Sequence, residues 1–201
     1  MELIFATNNS HKLKEIGALL GNEIRLLTPA ESGITDEIPE EFPTIEENAL
    51  AKAWYIHRLT GRDVFADDTG LEIEALGGEP GVHSARYAGP GKDFERNIDK
   101  VLEKMKGITH RNACFRTVIA LIMDGREYLF EGKICGKIIS ERRGSQGFGY
   151  DPVFIPDGYN ATFAQMTLQE KNRISHRSEA FRKLRSFLLK ERPGAINDIE
   201  R

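Results

Sequence analysis

Apolar positions along this chain recur with two different periods, and the switches between them divide it into elements. Residues 2–7 (ELIFAT) are a short apolar run closed by the polar turn Asn8-Asn9-Ser10, after which Leu13, Ile16, Leu19 and Leu20 recur at helical spacing; the pattern predicts strand, turn and helix. A second helix is predicted over 46–59, with Ala49, Leu50, Ala53 and Trp54 on one face and Thr60-Gly61 as its stop. Residues 63–66 read as a short strand. Phe94, Ile98, Val101, Leu102 and Met105 set a third helix over 93–106, ended by Gly107. The clearest strand pattern spans 113–123 and 127–139, which flank Asp124-Gly125, a pair suited to the positive backbone angles of a tight hairpin. Ala180, Phe181, Leu184, Phe187 and Leu188 mark a last amphipathic helix closed by Pro193-Gly194, which leaves 195–201 as a frayed tail. With no internal repeat or low-complexity linker, these elements predict one α/β domain over 1–194 built on a mixed sheet.

Composition narrows the function classes. A chain of 201 residues with 40% apolar and 29% charged content buries a core without metal or disulfide staples. A net charge of −3 excludes a broad polyanion-binding surface, and so nucleic acid as a partner, but leaves room for a small anionic ligand. The opening apolar run is neither a cleavable leader nor long enough to span a bilayer, so no membrane role is expected. Cys114 and Cys135 lack metal-ligand spacing and read as reduced core thiols, from which a cytoplasmic location follows.

Five segments carry candidate chemistry. Thr7, Asn8, Asn9 and Ser10 lie where free N–H groups and the positive end of a helix dipole face an anion, with Lys12 adding a mobile cation; equally, Asn9 or Ser10 simply caps the helix. Asp67 and Asp68, followed by Thr69, sit at the expected end of the 63–66 strand and suit Mg²⁺, which takes one or two carboxylates alongside phosphate oxygens and water; a hydrogen-bonded turn is the alternative. Among Glu37, Glu40, Glu41, Glu46 and Glu47, the last two are accounted for by the helix dipole, and Glu40 is the better metal candidate. The run from Ser145 to Pro152 interleaves Gly147 and Gly149 with Phe148 and Tyr150, a composition fitted to a purine slot or to an aromatic core plug. Lys171, Arg173, His176 and Arg177 suit phosphate and the edge of a base, or form a solvated basic loop before the last helix.

Taken in order and spacing, Thr7-Asn8-Asn9-Ser10-His11-Lys12, Asp67-Asp68-Thr69-Gly70-Leu71, Ser84-Ala85-Arg86-Tyr87, Phe148-Gly149-Tyr150-Asp151-Pro152 and Ser175-His176-Arg177 resemble the inosine/xanthosine triphosphate pyrophosphatase family over nearly the whole chain. The resemblance implies an elongated mixed β-sheet with flanking helices forming two lobes around a central cleft, and a homodimer. It implies hydrolysis of non-standard purine nucleoside triphosphates to the monophosphate and pyrophosphate with Mg²⁺ as cofactor. By motif match, Thr7, Asn8, Asn9, Ser10, His11, Lys12 and Lys171 would hold the triphosphate. Asp68 would bind Mg²⁺ and accept the proton of water, and Glu40 would be the second metal ligand. Thr69, Phe148, Gly149, Tyr150 and Asp151 would complete the pocket, with His176 and Arg177 near the 6-oxo edge of the purine. Asn8 stands where glycine is frequent and Thr69 where serine is, both mild changes. Two rivals remain: a pyrophosphatase of the septum-formation inhibitor class acting on pyrimidine or modified nucleotides, and a nucleotide-binding sensor without turnover. Asp68, Lys12 and Lys171 favour an enzyme, and Ser175-His176-Arg177 favours the purine family.

Overall fold

The computed structural model describes residues 1–19, 24–36, 38 and 40–191. Strand β1 (Glu2–Phe5) leads into helix α1 (Ser10–Gly17), and β2 (Arg25–Leu27) precedes α2 (Ile45–Thr60). Strand β3 (Val64–Ile73) is followed by the two-residue β4 (Pro80–Gly81) and by α3 (Phe94–Lys104). Strands β5 (Asn112–Met123) and β6 (Arg126–Ile138) flank Asp124 and Gly125, both at positive φ as the tight turn requires. Then come β7 (Phe154–Pro156), α4 (Leu168–Ile174) and α5 (His176–Glu191). Helices begin where a polar side chain satisfies their first N–H groups: Thr44 accepts from the Glu47 N–H before α2, and Asp93 from that of Arg96 before α3.

The expected mixed α/β class is observed. β1 pairs in parallel with β2 and β3, whereas β3–β4 and β6–β7 are antiparallel, in the strand order β2-β1-β3-β5-β6-β7 with β4 on β3. The chain divides into two compact units, one made of residues 1–68, 118–132 and 177–201, the other of 69–117 and 133–176. In the first, Leu3, Phe5, Ile16, Phe65, Ile119, Leu121, Phe181 and Leu184 form the core, with the Phe5 and Phe65 rings stacked at 4.5 Å. In the second, Leu71, Ile73, Ile98, Val101, Phe115, Tyr150, Phe154 and Phe163 do so.

Four expectations need correction. The strand expected over 63–66 continues to Ile73, so Asp67, Asp68 and Thr69 lie inside a strand rather than at its end; acids and glycine disfavour strands, but burial among cations overrides that preference here. Helix α2 buries Ile45, Ala49, Lys52, Ala53 and Ile56, while Trp54 turns aside to donate its indole N–H to Glu127 at 2.6 Å. The basic segment before the last helix is itself partly helical: the reciprocal Thr167 and Glu170 bonds start α4, which carries Lys171. Cys114 and Cys135, expected as separate thiols, form a disulfide. Each lies the same number of residues from the hairpin turn, so an uninterrupted β5–β6 ladder sets them opposite one another, with Cα atoms 4.0 Å apart. Leu20, Glu37, Pro193-Gly194 and the tail at 195–201 lie outside the described residues.

Candidate active site

Adjacent residues of a strand point to opposite faces, and this separates the two acids of β3. Phe65 and Asp67 share one face, where Phe65 meets Phe181 of α5 and Asp67 meets cations from both α1 and α5. The Asp67 carboxylate takes Lys12 Nζ on Oδ1 at 2.8 Å and Arg177 Nε on Oδ2 at 3.0 Å. Arg177, 2% exposed, also donates through Nη1 to the buried Glu15 of α1. Burial pushes the Asp67 pKa up, but Lys12, Arg177 and Lys52 outweigh it and hold the group far below the ordinary carboxylate value of 3.8. Burial is also the largest influence on Lys12 and lowers its pKa despite Asp67.

Asp68 faces the other way. Its Oδ1 accepts from Lys52 Nζ at 2.9 Å, and the same ammonium donates to Glu40 Oε1 at 2.9 Å. Lys52 comes from the buried stripe of α2 and is 4% exposed. Burial raises the Asp68 pKa above its ordinary value, with Lys52 and Lys12 opposing and Glu40 reinforcing the rise. Lys52 is kept charged because Asp68 and Glu40 outweigh the cost of its own burial. Two carboxylates thus converge on a single cationic point, while the flanking Asp67 is committed to Lys12 and Arg177. This donor set fits Mg²⁺: two hard oxygen ligands from the protein leave the remaining positions to phosphate oxygens and water. Among the described residues no group of three or more His, Cys, Asp or Glu side chains is gathered for a metal.

The turn after β1 is less open than its residue types suggest. Asn9 Oδ1 accepts from the His11 and Lys12 N–H groups at 2.9 and 3.3 Å, so the capping reading holds for those two donors. Thr7 is buried and its Oγ1 accepts from the Asn9 N–H at 3.2 Å, whereas Asn8, Ser10 and His11 are exposed.

In the second unit the aromatic loop is organised by Asp151. Its Oδ2 accepts from the Phe148 N–H at 2.9 Å and from Lys171 Nζ at 2.6 Å. Gly147 has φ +73°, and a Cβ there would lie 2.0 Å from that same Asp151 oxygen, so only glycine permits the approach. The Lys171 ammonium lies 5.2 Å from the Phe148 ring centre and 5.3 Å from that of Phe163. Tyr150 is buried and donates its hydroxyl to Ser84 O at 2.8 Å, and burial raises its pKa. Ser84 in turn accepts from the Leu71 N–H and donates to Gly81 O, so the Ser84-Ala85-Arg86-Tyr87 segment braces β3 and β4. Thr69 and Thr117 share a hydroxyl hydrogen bond of 2.6 Å, and the His176 imidazole stacks on Phe115 at 4.7 Å and 11°.

These two sets of side chains sit on a fold already known from relatives. The Ham1 family pattern matches residues 3–187. A dITP/XTP pyrophosphatase of Porphyromonas gingivalis is 54% identical over 189 residues, covering 94% of this chain and 97% of that protein. The dITP/XTP pyrophosphatase of Bacillus subtilis is 47% identical, covering 93% and 96%. A HAM1 protein from Coxiella burnetii superposes with a TM-score of 0.87 at 39% identity, covering 94% of this chain and 99% of that one. The chain belongs to the Ham1 family.

Membership bears out the resemblance read from five separate segments, and the structure shows where each of those segments falls. Lys12, Asp68, Glu40 and Arg177 are brought into one ionic cluster of the first unit, and Thr69, Phe148, Asp151, Lys171 and His176 belong to the second. His176 and Arg177 are neighbours in sequence that the division assigns to different units. Arg177, expected beside the base, pairs with Glu15 and Asp67. Two members of the cluster were not anticipated. Lys52 carried a readable signal, a lysine in register with Ile45, Ala49 and Ile56 on an apolar helix stripe, whereas Glu15, next to the buried Ile16, shows no such register with it.

Proposed function

We propose that this chain is a nucleoside triphosphate pyrophosphatase that cleaves inosine and xanthosine triphosphates, including the deoxy forms, to the monophosphate and pyrophosphate. The observation that carries the reading is the convergence of Asp68 and Glu40 on one point 2.9 Å away, beside an Asp67 that two other cations hold. Bound there, Mg²⁺ would neutralise charge on the phosphates and acidify a nearby water. Asp68 would orient a water beside it and accept its proton. Glu40 would be the second ligand, and Lys52 holds both carboxylates in register. Lys12 meets the polyphosphate from the first turn of α1, together with Thr7, Asn8, Asn9, Ser10 and His11 at the preceding turn and helix start, and Lys171 contributes a second cation. Arg177 acts at one remove, by fixing Asp67 and through it Lys12.

In the second unit, Phe148, with Gly149, Tyr150 and Asp151 shaping its loop, offers a stacking face to the base. His176 meets the 6-oxo edge, and Thr69 closes the pocket. A site that donates to a 6-oxo acceptor rejects a 6-amino group by leaving buried donors without partners. The enzyme works as a homodimer in the cytoplasm, where nucleotide pools are drawn on for polymerisation. Among the described residues no helix is long and apolar enough to cross a membrane. The test is a pyrophosphate-release screen across inosine, xanthosine, adenosine, guanosine and modified pyrimidine triphosphates, with and without Mg²⁺, together with light scattering for the dimer. Release from the inosine and xanthosine substrates in preference to adenosine, dependent on Mg²⁺, is expected; preferential turnover of pyrimidines, or none at all, overturns the assignment.

A further inference from the structure

Strand β5 turns its buried positions Ala113, Phe115 and Thr117 to one face, and two of these each touch a residue assigned to the substrate pocket. Thr117, fully buried, shares the 2.6 Å hydroxyl bond with the half-buried Thr69 of β3. Phe115, two residues back, lies flat against the His176 ring at 4.7 Å and is itself fixed by Phe154 at 4.8 Å and Phe163 at 6.1 Å. All seven side chains named here belong to the second unit. A threonine hydroxyl rotates about its Cβ–Oγ bond, so its proton points wherever its partners direct it. Paired with Thr117, the Thr69 hydroxyl has one lone pair or its proton committed to that neighbour, which narrows the directions in which it can meet a second partner. An imidazole likewise presents its ring nitrogens along a set line only if its plane is held, which is what face-to-face packing between aromatic rings supplies.

We infer that the inward face of β5 is the positioning element of the base-binding unit: Thr117 directs the Thr69 hydroxyl, and Phe115 sets the plane of His176. The inference rests on the assignment of Thr69 and His176 as substrate-facing. Neither Phe115 nor Thr117 meets substrate; both act through a neighbour.

Thr117→Val puts a methyl of similar size in place of the hydroxyl, and Thr117→Ser keeps the hydroxyl. For the purified enzyme with inosine triphosphate and Mg²⁺, Thr117→Val is expected to lose about tenfold in kcat/KM, beyond a fall of roughly 2–4 °C in melting temperature from the lost internal hydrogen bond. Thr117→Ser should stay within about twofold of wild type, and Thr117→Val should cost nothing further in a Thr69→Val background, because the effect travels through Thr69. Phe115→Leu should lower the preference for inosine over adenosine triphosphate severalfold, since loss of ring alignment harms the matched base more than the mismatched one. The inference is overturned if Thr117→Val matches wild type, if its loss persists undiminished in the Thr69→Val background, or if Phe115→Leu scales both substrates equally. A wild-type enzyme that turns over neither inosine nor xanthosine triphosphate would instead overturn the functional assignment, a separate outcome read before any variant is made.

Discussion

The two faces of β3 in the first unit receive the same residue type at consecutive positions and treat it in opposite ways. On the α1 and α5 face, Asp67 is closed off by Lys12 and Arg177, and Arg177 is further tied to Glu15. On the α2 face, Asp68 and Glu40 share the single ammonium of Lys52. Burial works against the charge of both aspartates, yet one ends below the ordinary carboxylate range and the other above it, because only Asp67 has enough cations near to outweigh it. A buried acid with a cation on each of its oxygens is a structural joint. One that competes with a second acid for one cation retains basicity and an appetite for further positive charge, and that is where chemistry is to be sought.

The largest expected effect breaks the comparison on the catalytic side. Asp68→Asn should reduce kcat for inosine triphosphate by about 10³-fold or more while leaving the cooperative unfolding transition in place, because the amide keeps shape but loses basicity and charge. Single-turnover assays at saturating Mg²⁺ check it, and near wild-type rates would move the proton-accepting role elsewhere. The structural side is broken by Arg177→Met, which strands Glu15 and Asp67 as buried acids; a loss of about 3–5 kcal/mol in denaturant unfolding is expected. A loss below about 1 kcal/mol would mean that the joint carries no stability.

A third experiment leaves both faces intact. Joining Cys114 to Cys135, 21 residues apart in sequence, restricts the unfolded chain, so Cys114→Ser with Cys135→Ser should cost about 3 kcal/mol under oxidising conditions and nothing measurable with excess reductant. Equal stability under both conditions would return the pair to the reduced state expected from the sequence.

The smallest effect sharpens the comparison through pH. Asp67, with its folded pKa depressed, adds stability that is present above the unfolded value near 3.8 and is lost as pH falls through the lower folded value. Asp68, with its folded pKa raised, has the reverse sign: its folded form holds a proton that the unfolded form has released, so stability declines as pH rises from 3.8 through the folded value. Denaturation of the Mg²⁺-free protein across this range should therefore show Asp68→Asn gaining on wild type as pH rises and Asp67→Asn losing. Parallel curves for the two variants would show that the faces do not differ electrostatically.

Periodicity and turn chemistry made the helices and the hairpin readable, since each depends on residues within one turn or one ladder step: Asp124-Gly125 at positive φ and the stripe from Ile98 to Val101 are local facts. The motif residues were readable as a set, because their order along the chain needs no geometry. Local rules failed where long-range burial took over. Asp-Asp-Thr-Gly argues against a strand, yet cations from α1, α2 and α5 hold it inside β3. Which of two adjacent acids keeps its basicity, that Lys52 joins Asp68 to Glu40 and that Arg177 turns toward Glu15 are decided by partners 12 to 162 residues away, whereas the meeting of Cys114 with Cys135 follows from the hairpin register. Sequence by itself determined which chemical groups this protein possesses. Only the tertiary structure decided which charges share a low-dielectric interior, and there the number of nearby counter-charges, rather than residue type, sets what each group can do.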